Sequence, residues 1–91
     1  MLSQLLTPNE IKLNIAQMIK SYRIARELTQ KELAKKSGIN YNTYVRFEQS
    51  GDIQIKNLIK IMIVLEITDK LIPLMEKYFN PFEKRVKKRV K

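Results

Sequence analysis

Cysteine and histidine are both absent from this chain, and glycine and proline are scarce, at two and three residues. Without cysteine, neither a disulfide framework nor a thiolate metal site can form, and the redox compartment is left open. Without histidine, the commonest general base and the commonest nitrogen ligand for metals are missing. The acids do not compensate: Asp69, Glu76 and Glu83 are scattered over helix starts and surfaces rather than paired for acid–base work. No enzyme, cofactor or metal is therefore expected. No run is long and apolar enough to span a bilayer. Residues 1–6 lack the basic start and long apolar stretch of a signal peptide, so a cytoplasmic protein away from the membrane is the default expectation.

What the chain does have is positive charge, unevenly spread. Its 91 residues suit one small domain with a single core, and an apolar fraction of 44% is that of a globular protein. The formal net charge is +9, and Lys84 to Lys91 hold six basic residues and no acidic one. Positions 1–83 carry 12 basic against 9 acidic residues, a net of +3. The body is mildly basic and the tail supplies most of the excess. Such charge is attracted to phosphate backbones with steep salt dependence, a reading favoured here over a solvated tail that merely aids solubility.

The most structured signal runs from Thr29 to Phe47, TQKELAKKSGINYNTYVRF. Thr29 can cap a helix, with Glu32 three residues on closing a capping box. Leu33 and Ala34 supply apolar positions, and Gly38 falls where the helix must end in a left-handed conformation. Asn40 can cap the next helix, whose Tyr44 and Phe47 stand one turn apart on a buried side. Ala34 is small where the second helix crosses closest. Two helices joined by a short glycine-containing turn form a helix-turn-helix, whose second member can lie in the DNA major groove.

The flanking sequence completes an all-α domain. Thr7-Pro8-Asn9-Glu10 is a second helix start, and Ile11, Ile15, Met18, Ile19 and Tyr22 share one helical face. Helices are expected over Pro8–Glu27, Gln30–Ser37 and Tyr41–Gln49, with Ser50-Gly51-Asp52 as a turn. Ile55, Leu58, Ile59, Met62, Ile63 and Leu65 make a fourth helix. With Ile61 and Val64 on its other sides, that helix is expected to be buried on most of its circumference. A strand over Ile59–Ile67 is disfavoured because Lys56, Asn57 and Lys60 break the alternation. Thr68 and Asp69 can cap a fifth helix. Pro73 requires either a kink or a single turn over Asp69–Ile72 before a helix starting at Pro73. Asn80-Pro81 ends it. The expected organisation is a DNA-binding domain over 7–79 and a basic tail over 80–91, with Val86 and Val90 set among the charges. Leu2, Leu5 and Leu6 of the leader can fold back on the domain or meet a partner.

Thr29, Gln30, Leu33, Ala34, Gly38, Tyr44, Phe47 and Glu48 together resemble the phage-repressor-like (Cro/C1, or XRE) helix-turn-helix family over about Ile11 to Leu71. The resemblance implies a five-helix, all-α fold. The run Phe47-Glu48-Gln49-Ser50-Gly51-Asp52-Ile53, followed by Ile55-Lys56-Asn57-Leu58, departs from the commoner pattern, since Gly51 is three residues after Glu48 rather than two. It is similar to the variant in HipB-type antitoxin regulators, which are encoded beside HipA-like kinase toxins and often carry a basic C-terminal tail.

By this resemblance Tyr41, Asn42 and Arg46 take base-reading positions. The chemistry suits them: Arg46 can contact guanine O6 and N7 together, and Asn42 adenine N6 and N7. Tyr41 offers a ring for a thymine methyl and a hydroxyl for a phosphate. The family places a phosphate contact at Gln30, where free helix-end amides assist. Thr43 and Lys56 are further phosphate candidates, and Lys35 and Lys36 lie on the edge of that set. Arg23 and Glu48 match a pair that forms a partly buried salt bridge orienting the recognition helix. Tyr22, Tyr44 and Phe47 are expected in the core.

The function implied is a homodimeric, sequence-specific repressor on a two-fold repeat of double-stranded DNA. It is expected to autoregulate a toxin–antitoxin operon, with a HipA-like kinase toxin as partner. The alternatives are a phage or mobile-element repressor without a toxin, and a protein-binding adaptor on the same scaffold. The absence of acid between Asn40 and Glu48 favours DNA over the adaptor. A dimer is expected because Ile67, Leu71, Ile72, Leu74, Met75, Tyr78 and Phe79 are more apolar surface than one short helix can bury.

Overall fold

Two reciprocal capping boxes start the first two helices. The computed structural model describes residues 6–75. Helix α1 spans Pro8–Ala25: the Glu10 amide donates to Thr7 Oγ1 at 3.1 Å and the Thr7 amide to Glu10 Oε1 at 2.8 Å. Helix α2 spans Gln30–Ser37 and repeats the device, with the Glu32 amide on Thr29 Oγ1 at 3.0 Å and the Thr29 amide on Glu32 Oε1 at 2.8 Å. Each box satisfies two amides that a helix start leaves open. Helix α3 covers Tyr41–Ser50 and α4 Ile55–Leu65; a 3-10 turn at Thr68–Lys70 leads into α5, Ile72–Met75. The described residues contain no strand, and the fold is all-α.

Helix α1 ends two residues short of the expected Glu27. Glu27 is left-handed (φ 56°), and the Arg23 guanidinium reaches past it to the Leu28 carbonyl at 2.8 Å. That tie turns the chain early so that Thr29 can cap α2.

Helix α3 runs one residue beyond the expected Gln49, to Ser50, and closes on Gly51. Gly51 is left-handed (φ 81°), and a Cβ there would stand 2.7 Å from the backbone carbon and oxygen of Lys12. Gly38 is also left-handed (φ 71°), yet a Cβ there meets nothing within 4 Å. The two glycines thus separate conformational cost from steric cost. Gly38→Ala is expected to lose about 1–2 kcal/mol of stability from the left-handed backbone alone. Gly51→Ala adds to the same cost a collision with α1 backbone that cannot move aside, so it should be the more damaging. Urea denaturation of the two variants checks this, and equal losses would refute the close approach of Gly51 to α1.

The core is made by Ala16 and Ile19 of α1, Leu33 and Ala34 of α2, Tyr44 and Phe47 of α3, and Ile61, Met62 and Leu65 of α4, closed by Ile67. Tyr44 and Phe47 meet edge to face, with ring centroids 6.0 Å apart. Tyr22 is only half-buried, packed against this core. Ala34, buried between α3 and α4, is small where two helices approach α2.

Helix α4 differs from expectation. Its buried arc is Ile61, Met62 and Leu65, whereas Ile55 is 74% exposed, Ile63 59% and Ile59 37%. Helices α1 and α2 and the turn at Thr68–Lys70 pack on one side of α4, and among the described residues nothing covers Ile55 and Ile63 on the other. Ile61, expected on an outer side, is fully buried. After α4, Glu66 is left-handed (φ 61°), and Thr68 and Asp69 lie in the 3-10 turn with no side-chain cap before it. Pro73 follows the second of the expected arrangements, a single turn and then a helix, which begins one residue early at Ile72. Of the expected dimer surface, Ile67 belongs to the domain's own core and Leu71 packs against it. Ile72, Leu74 and Met75 are exposed. Leu2 and Leu5, Tyr78 and Phe79, Asn80-Pro81 and the tail lie outside the described residues.

Candidate nucleic-acid interface

The turn between α2 and α3 follows from local chemistry. Gly38 takes the left-handed conformation, the Ile39 amide returns to the Ala34 carbonyl at 3.0 Å, and Asn40 Oδ1 accepts from the Asn42 amide at 2.8 Å and the Thr43 amide at 3.3 Å. With Tyr44 and Phe47 fully buried, the helical period turns the opposite side of α3 outward. On it Tyr41, Asn42 and Arg46 are exposed, while Thr43 and Val45 are half-buried at its margin.

An open groove of about 590 Å³ borders this face, lined by Thr43, Arg46, Asp52, Ile53, Gln54 and Asn57. It brings two of the expected site residues, Thr43 and Arg46, against the first turn of α4. Lys56 is exposed on that turn but does not line the groove; Asn57 does. Gln54, at the N-cap of α4, makes no side-chain capping bond. The first amides of α4 are therefore left to solvent or to an anion. Sequence reasoning passed over Gln54 and Asn57. The available signal was negative: unlike Thr7, Thr29 and Asn40, Gln54 is a poor cap. Asp52 in the same groove is bonded to Lys12, and that ammonium holds its carboxyl below the usual value.

Beneath the face, Glu48 gathers donors from three helices. Arg23 donates from Nε to Oε2 at 2.7 Å and from Nη2 to Oε1 at 3.3 Å; Gln30 Nε2 donates to Oε1 at 2.8 Å, and the Tyr44 hydroxyl to Oε2. The Arg23 and Glu48 side chains are 11% and 4% exposed. Burial opposes ionisation of Glu48, but the bonds from Arg23, Tyr44 and Gln30 outweigh it and hold the carboxyl below its ordinary range. The same contact with Glu48 raises the pKa of Arg23. Burial, and then the bond to Glu48, push Tyr44 well above its ordinary value, so its hydroxyl stays a donor.

Gln30 therefore sits differently from the phosphate contact expected of it. Its amide nitrogen is turned inward on Glu48, and an outside anion would have to use the amide's second hydrogen. Tyr44, expected only as core, also works through its hydroxyl; its spacing of four from Glu48 was the signal. Lys35 and Lys36 are exposed in the last turn of α2.

A family profile described as helix-turn-helix (HTH_3) matches residues 19–71, more than half of the chain and all of α2, α3 and α4. The chain belongs to the Cro/C1-type helix-turn-helix (XRE) family. Membership makes it a DNA-binding transcription regulator. A search of curated proteins gives no match to the chain. Among the described residues no helix is long and apolar enough to cross a membrane, and no cluster of acidic residues could hold a metal ion.

Proposed function

We propose that this helix-turn-helix protein is a homodimeric, sequence-specific repressor that reads its operator with the outward face of α3. The observation that carries the reading is the division of α3. Tyr44 and Phe47 are sealed in the core, while Tyr41, Asn42 and Arg46 are exposed, and Arg46 lines a groove that ends at the open start of α4. Asn42 and Arg46 have the donor geometry to read adenine and guanine, and Tyr41 stands beside them at the entrance of α3. Thr43, Gln30 and Lys56, with the free amides of α4, would hold the backbone on either side. Residues 7–79 form the DNA-binding domain in this reading, and the basic residues of 80–91 add sequence-independent attraction.

One α3 reads too few base pairs for a specific site, so two copies on a two-fold repeat are required. The exposed Ile72, Leu74 and Met75 support α5 as the pairing surface. Sedimentation at micromolar concentration with and without operator DNA tests it: a dimer in either condition is expected, and a monomer in both would overturn it. A narrower reading makes the protein a HipB-like antitoxin that regulates its own operon with a HipA-like kinase toxin. It is supported by the run Phe47–Leu58, with its glycine three residues after Glu48, and by the basic tail. Co-purification with a kinase encoded beside it is the expected result.

A further inference from the structure

Lys31 lies in the first turn of α2 and Tyr41 opens α3, and the Lys31 ammonium stands over the Tyr41 ring, 5.7 Å from its centroid. Both side chains are at the surface. The neighbouring acid, Glu32, is committed to the Thr29 capping box, and the ion pairs of the described residues are Lys12–Asp52 and Arg23–Glu48. Lys31 thus has a ring for a neighbour and no carboxylate among the described residues. The attraction of an ammonium to an aromatic face holds it there without neutralising it.

This arrangement changes what Tyr41 can do. A thymine methyl would pack on a ring face, and one face already carries the Lys31 ammonium. What the pair has to offer is donors: the N–H groups of Lys31 and the Tyr41 hydroxyl, on two exposed side chains with no hydrogen bond from either among the described residues. Two donors, one of them charged, on side chains in contact at the entrance of the recognition helix match an anionic oxygen better than a base edge.

We propose that Lys31 and Tyr41 act as one unit that holds a backbone phosphodiester of the bound DNA, and that Tyr41 positions the duplex rather than reading a base. This rests on the DNA-reading function proposed above for the same face. Lys31 is placed in that role by its partner ring, not by its charge alone, since the exposed Lys35 and Lys36 of the same helix stand over no ring among the described residues.

The test starts from an operator selected with the unaltered protein out of random duplex DNA. Binding to that operator and to a scrambled duplex is then titrated over a range of salt for the unaltered chain, Lys31→Ala, Lys31→Arg and Tyr41→Phe. Lys31→Ala should lower the slope of log affinity against log salt by about 0.9, one phosphate contact, on both duplexes alike. Lys31→Arg should keep the slope, and Tyr41→Phe should weaken both duplexes by the same few-fold factor. Base preference at every operator position should be unchanged in all three. An unchanged slope in Lys31→Ala would overturn the proposal, as would a loss confined to the operator or a relaxed base preference in Tyr41→Phe, which would make Tyr41 a reader. If the unaltered chain enriches no sequence and binds no duplex, the function proposed for the face falls too, and that result is distinguished because it precedes any variant.

Discussion

Glu48→Gln should cost this small domain about 3–5 kcal/mol, because it leaves the Arg23 guanidinium buried without its counter-charge. Single domains have only about 5–15 kcal/mol in all, so the loss should be a large share of the total and show as a strongly lowered urea midpoint. The size of the loss does not measure what the pair contributes; burying two charges costs much of what pairing them returns. What the pair does is specify geometry. Arg23 comes from α1, Gln30 from α2, and Tyr44 and Glu48 from α3, so one carboxylate fixes how three helices meet. Tyr44→Phe removes one donor and keeps the ring, and should cost about 1.5–3 kcal/mol.

The pH dependence has a definite sign. The Glu48 carboxyl titrates lower in the folded chain than in the unfolded one, where a glutamate lies near pH 4.3. Its stabilisation is therefore complete above the ordinary carboxylate pKa and drains away as pH falls through the depressed folded value. Urea midpoints of the unaltered protein should drop on acidification below about pH 4.3, and those of Glu48→Gln should drop less. Parallel curves would show that Glu48 is not the group that titrates.

Arg46→Ala should do the opposite: leave the fold and abolish recognition. Arg46 is exposed and makes no side-chain hydrogen bond or ion pair among the described residues, so stability should change by less than about 0.5 kcal/mol. A lost bidentate guanine contact is worth about 1–3 kcal/mol, or about 2–6 kcal/mol on an operator with two half-sites. Gel-shift titration should show affinity for the operator falling towards that for a scrambled duplex, with preference relaxed at one base pair in each half-site. Unchanged affinity and preference would remove Arg46 from the reading face. The two substitutions thus separate a residue that orients α3 from one that α3 presents.

Much of this architecture was legible because it is local. Thr7 with Glu10, and Thr29 with Glu32, are three residues apart, and their bonds are made within one turn whatever the rest of the chain does. Gly38 and Asn40 mark the turn between α2 and α3 for the same reason. What the sequence hides depends on distance. The end of α1 depends on Arg23 reaching Leu28, and Gly51 must be glycine because Lys12, 39 positions earlier, lies against it. Periodicity showed that α4 is apolar on many sides; it could not show that the helices around it cover only one, leaving Ile55, Ile59 and Ile63 outside. At the site, Arg23 and Glu48 were found by family resemblance, since nothing in a spacing of 25 residues suggests contact. Tyr44 is core as its spacing indicates, but a buried ring does not announce where its hydroxyl points. The Lys31–Tyr41 contact joins two surface residues from different helices, where the sequence carries no pattern to read.

Selection of bound duplexes from a random DNA pool separates base reading by α3 from mere attraction to phosphate. The expected result is an enriched two-fold repeat, with half-sites centred roughly one helical turn apart, each containing a G·C pair whose enrichment disappears when Arg46→Ala is used. Enrichment of no sequence, or of the same sequence by both proteins, would contradict the reading of α3 as the recognition element.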